Sequence, residues 1–268
     1  MIPLRDSKKS YIFPWVTVTL IAINIFIFLF SLSLSNNQSG AQIDLNPWHQ
    51  KNILFMDQER FKYAGTVYLS PRDKFVFKYG VIPGEITSFS DLPPILDPPF
   101  LPALPFYLTL ITSTFLHGGI LHLLGNMLFL WIFGDNIEEA MGHLRFVLFY
   151  FICGVGAAFF QIITNYSSGV PMVGASGAIA GVMAAYFLLY PNSRVLTLVP
   201  IFFFFTFIEI PAFLLLGLWF IFQLISTPSS AGSGVAFMAH VGGFLVGAAL
   251  TPYFKKKNVK IKLFRYFR

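Results

Sequence analysis

Val173-Gly-Ala-Ser-Gly-Ala-Ile-Ala-Gly-Val-Met-Ala-Ala-Tyr-Phe-Leu-Leu-Tyr190 runs for eighteen residues without one charged side chain. A stretch of that length and polarity reads as a membrane-spanning helix, since about 20 apolar residues cross the ~30 Å hydrocarbon core of a bilayer. Its opening is unusual for a span, because Ser176 stands among Gly174, Gly177 and Gly181. The rest of the chain has the same apolar character: of 268 residues, 56% are hydrophobic, 18% aromatic and only 11% charged. Soluble domains carry about a quarter charged residues. Too few polar groups remain to cover a water-facing surface, which excludes a disordered chain, a nucleic-acid binder and an ordinary cytoplasmic enzyme. Cys153 is the only cysteine, so neither an intrachain disulfide nor a cysteine zinc site is available.

Working outward, the apolar runs predict an all-α, polytopic bundle of six transmembrane helices, with spans at about 11–34, 119–137, 144–164, 173–190, 209–226 and 235–254. The first follows Arg5, Lys8 and Lys9 and is too long for the apolar core of a cleaved leader, so it reads as a retained span. Leu101–His117 and Val195–Ile208 are also apolar, but Pro102, Pro105 and Pro200 interrupt them. Proline inside a helix costs about 3 kcal/mol, so both read as interfacial or re-entrant connections. Residues 35–104 form a long external first loop. Within it Thr66-Val-Tyr-Leu and Lys74-Phe-Val-Phe-Lys alternate like short strands.

Short basic loops mark the cytoplasmic face of a membrane protein. Six spans place residues 1–10, Arg145, Arg194 and a basic tail, 255–268, on one side, which collects twelve of the 18 Lys and Arg residues. The connections Asn165–Pro171 and Thr227–Ser233, on the other side, hold no charge. Both termini are expected in the cytoplasm, with residues 11–254 as the membrane domain of a multi-pass cell-membrane protein, in the plasma membrane or a prokaryotic inner membrane. The tail suits anionic lipid headgroups rather than nucleic acid.

Polar residues inside spans are costly and mark candidate functional sites. The candidates singled out here are Asn24, His122, Asn126, Ser176, Gln223 and His240. Ser176 is the one plausible nucleophile, although serine among glycines also serves simply to let helices pack closely. A serine hydroxyl needs a base, and His240 is the only histidine of the last span; alone, it could equally be a buried histidine bonded to a carbonyl. Ala239, Gly243 and Gly247 recur every four residues, giving that helix a close-packing face toward Gly177 and Gly181. His122 and Asn126, at i and i+4, share a helix face and could donate to a developing oxyanion, or form a polar clasp between helices. His117 reads as a secondary residue at the membrane surface.

Together these elements resemble the rhomboid family of intramembrane serine proteases. The resemblance rests on Thr112-Ser-Thr-Phe-Leu-His117, His122-x-x-x-Asn126, the Glu138-to-Gly142 turn, Gly174-x-Ser176-Gly177, Ala239-His240-x-x-Gly243, and Ile210-Pro-Ala with Trp219 and Gln223. It covers about residues 112–250 and the first span. It implies Ser176 as nucleophile and His240 as general base and acid, in a dyad without a third acid. It further implies an oxyanion hole of His122, Asn126 and the Ser176 amide, with Gly174 and Gly177 supporting the site. Where the family often has Trp-Arg before Leu-x-Thr-Ser, this chain has Leu108-Thr109, which touches the anchoring of the first loop and not the chemistry. Glu138 is expected to be structural, bonding backbone amides at its turn.

The implied reaction is hydrolysis of peptide bonds in or near the helices of transmembrane protein substrates, without metal or cofactor. His-Glu-x-x-His is absent, and Asp135 and Glu209 lie at span ends, so zinc and aspartyl intramembrane proteases fit less well. A catalytically silent rhomboid-like binding protein would be expected to lack Ser176 or His240, and a transporter would be expected to show internal repeats.

Overall fold

The structure, a computed structural model, describes residues 1–34, 42–44, 66–68, 70–89, 104–166, 168–201, 204–227 and 235–262. It is mostly helical. After strand β1 (Ile2–Asp6) come α1 (Trp15–Ser33), short strands β2 (Gln42–Asp44) and β3 (Thr66–Tyr68), and the short helices α2 (Pro71–Tyr79) and α3 (Pro83–Ser88). Then follow α4 (Ile120–Met141), α5 (His143–Thr164), α6 (Ser176–Leu189), strands β4 (Arg194–Ile201) and β5 (Phe204–Pro211), α7 (Ala212–Ser226) and α8 (Phe237–Phe254). Four of these, α1, α4, α5 and α8, are long and apolar enough to cross a membrane, and α6 and α7 are shorter apolar helices.

Helix α6 is the hub. Every residue of it except Ser176 and Phe187 is buried, as expected of a helix that is apolar all round. Its small residues allow neighbours to approach backbone to backbone. A Cβ on Gly177 would stand 2.5 Å from Ala157 Cβ of α5, and one on Gly243 of α8 would stand 2.0 Å from the Gly177 carbonyl oxygen. One on Gly247 would meet Gly181 Cα at 2.4 Å. The close-packing face expected on the last helix therefore lies against α6, and α5 closes the other side.

The all-α expectation gives way at residues 194–211. There Val195–Ile208, expected as an interfacial or re-entrant connection, forms most of the β4–β5 hairpin, and β1 adds a third strand in the order β1-β4-β5. Alternating β-branched and aromatic residues favour strand pairing. Pro200 fits because β1 reaches only to the Ile2–Leu198 pair, so no carbonyl on that edge of β4 waits for the N–H that proline lacks. The helix expected from 209 begins at Ala212. Strand β3 falls where Thr66-Val-Tyr was expected to be extended, but Lys74-Phe-Val-Phe-Lys lies in α2. A reciprocal cap between Ser70 and Asp73, with Pro71 at the first helical position, starts that helix and overrides the alternation. The proline-broken run before α4 is a chain of single turns, Phe106–Leu108, Thr109–Thr112 and Ser113–Phe115.

Glu138 is fully buried. The amides it binds belong to the start of α1 rather than to its own turn. Its carboxylate accepts from Val16 N at 2.9 Å, Thr17 N at 2.8 Å and Thr17 Oγ1 at 2.7 Å, and also contacts His143 Nδ1. One carboxylate thus satisfies orphan amides at a helix N-terminus whose dipole favours negative charge, tying α1 to the α4–α5 corner.

Candidate active site

Ser176 is the first residue of α6. First-turn amides have no intrahelical carbonyl to bind, so the Ser176 N–H points out of the helix beside its own hydroxyl. His240 rides on the first turn of α8, and the Gly177–Gly243 contact below sets how closely the two approach. His240 Nε2 lies 2.8 Å from Ser176 Oγ. Gln161 of α5, itself buried, accepts from Ala239 N at 3.1 Å and pins the start of α8 next to the histidine.

The other side of the imidazole is equally defined. Its Nδ1 lies 2.8 Å from Gln223 Oε1, and the Trp219 ring lies along it with centroids 5.9 Å apart. Trp219 and Gln223, four residues apart on α7, share one face of that helix. With the amide oxygen accepting, the ring proton sits on Nδ1 and Nε2 keeps its lone pair toward Ser176. A neutral amide thereby holds the orientation and tautomer that a carboxylate fixes in a Ser-His-Asp triad. The sequence flagged Gln223 as a costly polar residue in a span and, with Trp219, as part of the family resemblance, but gave it no role at the site. Its spacing from Trp219 signals a shared face, but no spacing signals that this face meets His240.

On the facing wall, Asn126 is buried and His122 is exposed to the opening. Gly174, whose φ of +129° is one that residues with a Cβ rarely adopt, leaves room there. A Cβ at this position would fall 2.8 Å from His122 Nε2 and 3.7 Å from Asn126 Nδ2. The missing side chain keeps open a space lined by an imidazole nitrogen and an amide nitrogen just before Ser176. His117, expected in a secondary role at the membrane surface, is only 3% exposed. The broken segment before α4 folds it inward, where its Nε2 accepts from Asn126 Nδ2 at 2.9 Å and its ring packs edge-on to His122. Burial, with His122 nearby, pushes the His117 pKa from 6.5 down to about 4. It is therefore a neutral acceptor at neutral pH and orients the Asn126 amide, leaving that group's second hydrogen for another partner.

The structure thus brings Ser176 and His240 together, and places His122, Asn126 and Gly174 around one space before α6. Among the described residues no group of three His, Cys, Asp or Glu side chains could hold a metal ion.

A polytopic membrane chain with a serine and a histidine hydrogen-bonded at a glycine-lined helix start defines a narrow class. The model of the Rhomboid domain matches residues 106–257, and the chain belongs to the rhomboid family. It is similar to Rhomboid protein 1, mitochondrial, of Saccharomyces cerevisiae, with 27% identity over 158 residues, 56% of this chain and 42% of that protein. It is similar also to RHOMBOID-like protein 12, mitochondrial, of Arabidopsis thaliana, with 33% identity over 52% of this chain and 44% of that protein. Presenilin-associated rhomboid-like protein, mitochondrial, of Mus musculus shares 34% identity over 35% of this chain and 26% of its own length. The chain thus spans less than half the length of these curated relatives.

Proposed function

We propose that the protein is an intramembrane serine protease that hydrolyses peptide bonds in or near the transmembrane helices of membrane-protein substrates. The observation that carries this reading is His240 held between two 2.8 Å contacts, Ser176 on one side and Gln223 on the other. In the reaction, His240 Nε2 takes the Ser176 proton as Oγ attacks the scissile carbonyl. The oxyanion forms where the Ser176 N–H, the free Asn126 hydrogen and His122 can donate to it. His240 then protonates the leaving amine, and water admitted past exposed His122 releases the acyl group by the reverse proton transfers.

All six apolar helices cross the bilayer in this reading, with the termini and the basic loops on one side. Helix α6 has 14 residues, about 21 Å. If its Leu189 end is level with the basic boundary of the ~30 Å core, Ser176 lies about 9 Å beneath the opposite surface. That depth suits bonds just inside a substrate's membrane segment. The substrate helix must first unwind, since an intact helix hides its carbonyls from a nucleophile.

The test is cleavage of a single-span substrate co-reconstituted in vesicles. The intact chain should cleave it and Ser176→Ala should not; equal cleavage by Ser176→Ala would remove Ser176 from the reaction. No cleavage by the intact chain, and no labelling of Ser176 by a fluorophosphonate, would favour a silent rhomboid-like binding protein.

A further inference from the structure

Between α6 and α7 the chain leaves the helices as the β4–β5 hairpin, which the candidate site does not use. The two halves of this hairpin differ in chemistry. At its base Arg194 pairs with Pro211 and Leu196 with Glu209, while β1 brings Arg5 and Asp6 along the other side. Beyond the Ile2–Leu198 pair, the register continues through Val199–Thr206, Pro200–Phe205 and Ile201–Phe204 with no charged residue. Phe204, Phe205 and Phe207 are 78%, 71% and 64% exposed. Successive strand residues point to opposite faces, so Phe204 and Phe205 make both faces of the outer hairpin apolar. A packed protein partner covers one face; a medium that surrounds the hairpin covers both.

Three features identify that medium. β5 runs without a break into α7, whose exposed Phe213, Leu214, Leu218 and Phe222 continue the same apolar surface. Helix α7 has 15 residues, about 22 Å against a ~30 Å core, so the hairpin base starts at or inside the headgroup level. The hairpin also shares its end of the molecule with the basic residues. Lys256 N bonds Ala140 O at 2.8 Å and Lys262 N bonds Leu188 O at 3.0 Å, which brings the lysine-rich tail beside Arg194 and the Arg5–Lys9 segment. An apolar insert flanked by basic residues is the pattern of segments that lie on anionic leaflets. Open strand edges are not tolerated in the hydrocarbon core itself, which holds the hairpin at the boundary between headgroups and acyl chains.

We propose that the β4–β5 hairpin is an interfacial anchor, which inserts Phe204, Phe205 and Phe207 into the leaflet at the basic end and favours anionic phospholipid there. The anchor is independent of proteolysis, so its test does not depend on activity. Single cysteines at Phe205→Cys and Phe207→Cys carry a bimane label, and the intact chain, whose Cys153 is buried, serves as the labelling blank. The protein is reconstituted in vesicles of phosphatidylcholine with phosphatidylglycerol, with Phe222→Cys on α7 as the lipid reference and Asn258→Cys in the tail as the aqueous reference. Labels at 205 and 207 should be quenched by shallow doxyl lipids several-fold more than at 258, and by iodide several-fold less. The lipid quenching should weaken in vesicles of phosphatidylcholine alone. Iodide quenching equal to that at 258 would overturn the proposal. So would shielding without lipid quenching that grows with protein-to-lipid ratio, which would assign the hairpin to a second copy. Equal lipid quenching with and without phosphatidylglycerol would overturn the anionic preference.

Discussion

His240 Nδ1 lies 2.8 Å from Gln223 Oε1, so a neutral amide stands behind the candidate base. Gln223 is 4% exposed and cannot readily be replaced by water in this role. Gln223→Met keeps volume but removes the acceptor, freeing the ring to flip or change tautomer. In an aspartate-backed triad the wrong tautomer costs about 10⁴ in kcat; an amide that supplies orientation without charge should cost less, about 10²-fold. Steady-state cleavage should show the loss in kcat with KM unchanged, and Gln223→Glu, which retains an acceptor, should recover part of it. An unchanged kcat in Gln223→Met would reduce the contact to packing.

Asn126 makes a similar two-sided contact. One amide hydrogen is taken by His117 Nε2 at 2.9 Å, and the other is free to meet an oxyanion beside Gly174. Asn126→Ala should lower kcat by about 10², the cost of one oxyanion donor, and leave fluorophosphonate labelling of Ser176 detectable because the Ser176–His240 pair is untouched. His117→Ala should reproduce part of that loss by letting the amide turn.

His117 also makes stability depend on pH. Its folded pKa is held near 4 by burial, against 6.5 in the ordinary state. Between those values the unfolded chain binds a proton that the folded chain does not, so stability falls as pH falls through this window and is complete above it. The full difference is about 3 kcal/mol. Thermal unfolding in detergent should show Tm dropping from pH 6.5 to 4, with a shallower slope in His117→Asn. An identical slope in the two proteins would place the acid sensitivity elsewhere.

The long helices were legible because apolar length alone reports them, and α1, α4, α5 and α8 lie within two or so residues of the expected spans at most ends. Helices α6 and α7 were legible as apolar runs and their C-terminal ends fall where expected, but both start later than the apolar run does, at Ser176 and Ala212. Ile210 and Pro211 are as apolar as the helix they precede, and pairing with Val195 and Arg194 draws them, with Glu209 opposite Leu196, into β5. Ser176, His240, His122 and Asn126 stood out because so little else polar lies in the spans. Gln223 stood out equally, yet its role depends on the rotation of α7 about its axis, which a single sequence does not encode. The contact of His117 with Asn126 was not legible for a related reason: a proline-broken run has no helical period from which its inward turn could be read.

Glycine spacing was legible as a packing face, and it yields a sharp stability contrast. A Cβ at Gly243 would stand 2.0 Å from the Gly177 carbonyl oxygen, whereas one at Gly125 meets nothing within 4 Å. Backbone cannot yield as a side chain can, so Gly243→Ala must push α8 away from α6. Overpacking of this kind costs about 1–3 kcal/mol. Because His240 lies one turn earlier on α8, labelling of Ser176 should fall too. Gly125→Ala, in the interior of α4, should be neutral or stabilising by up to about 1 kcal/mol. Melting of both variants in the same detergent decides it; equal Tm values would mean that the helix contact relaxes freely.

Glu138 offers the last test, because it joins two parts of the fold without taking part in the candidate chemistry. Its two oxygens face donors only, the amides of Val16 and Thr17, the Thr17 hydroxyl and His143. Glu138→Gln keeps the shape but removes the charge and turns one acceptor into an N–H that faces other N–H groups. A hydrogen bond to a charged group is worth about 1.5–3 kcal/mol, and a buried donor left unpaired costs its desolvation as well. The substitution should therefore cost about 3 kcal/mol and lower Tm by roughly 6–12 °C for a chain of this size. Thr17→Val removes one of the four donors and should cost about 1 kcal/mol. Since the first turn of α1 depends on this carboxylate, Glu138→Gln should also speed amide exchange at Val16 and Thr17, with exchange in α6 unchanged. Destabilisation spread evenly over both helices would instead make Glu138 a general core contact rather than the cap of α1.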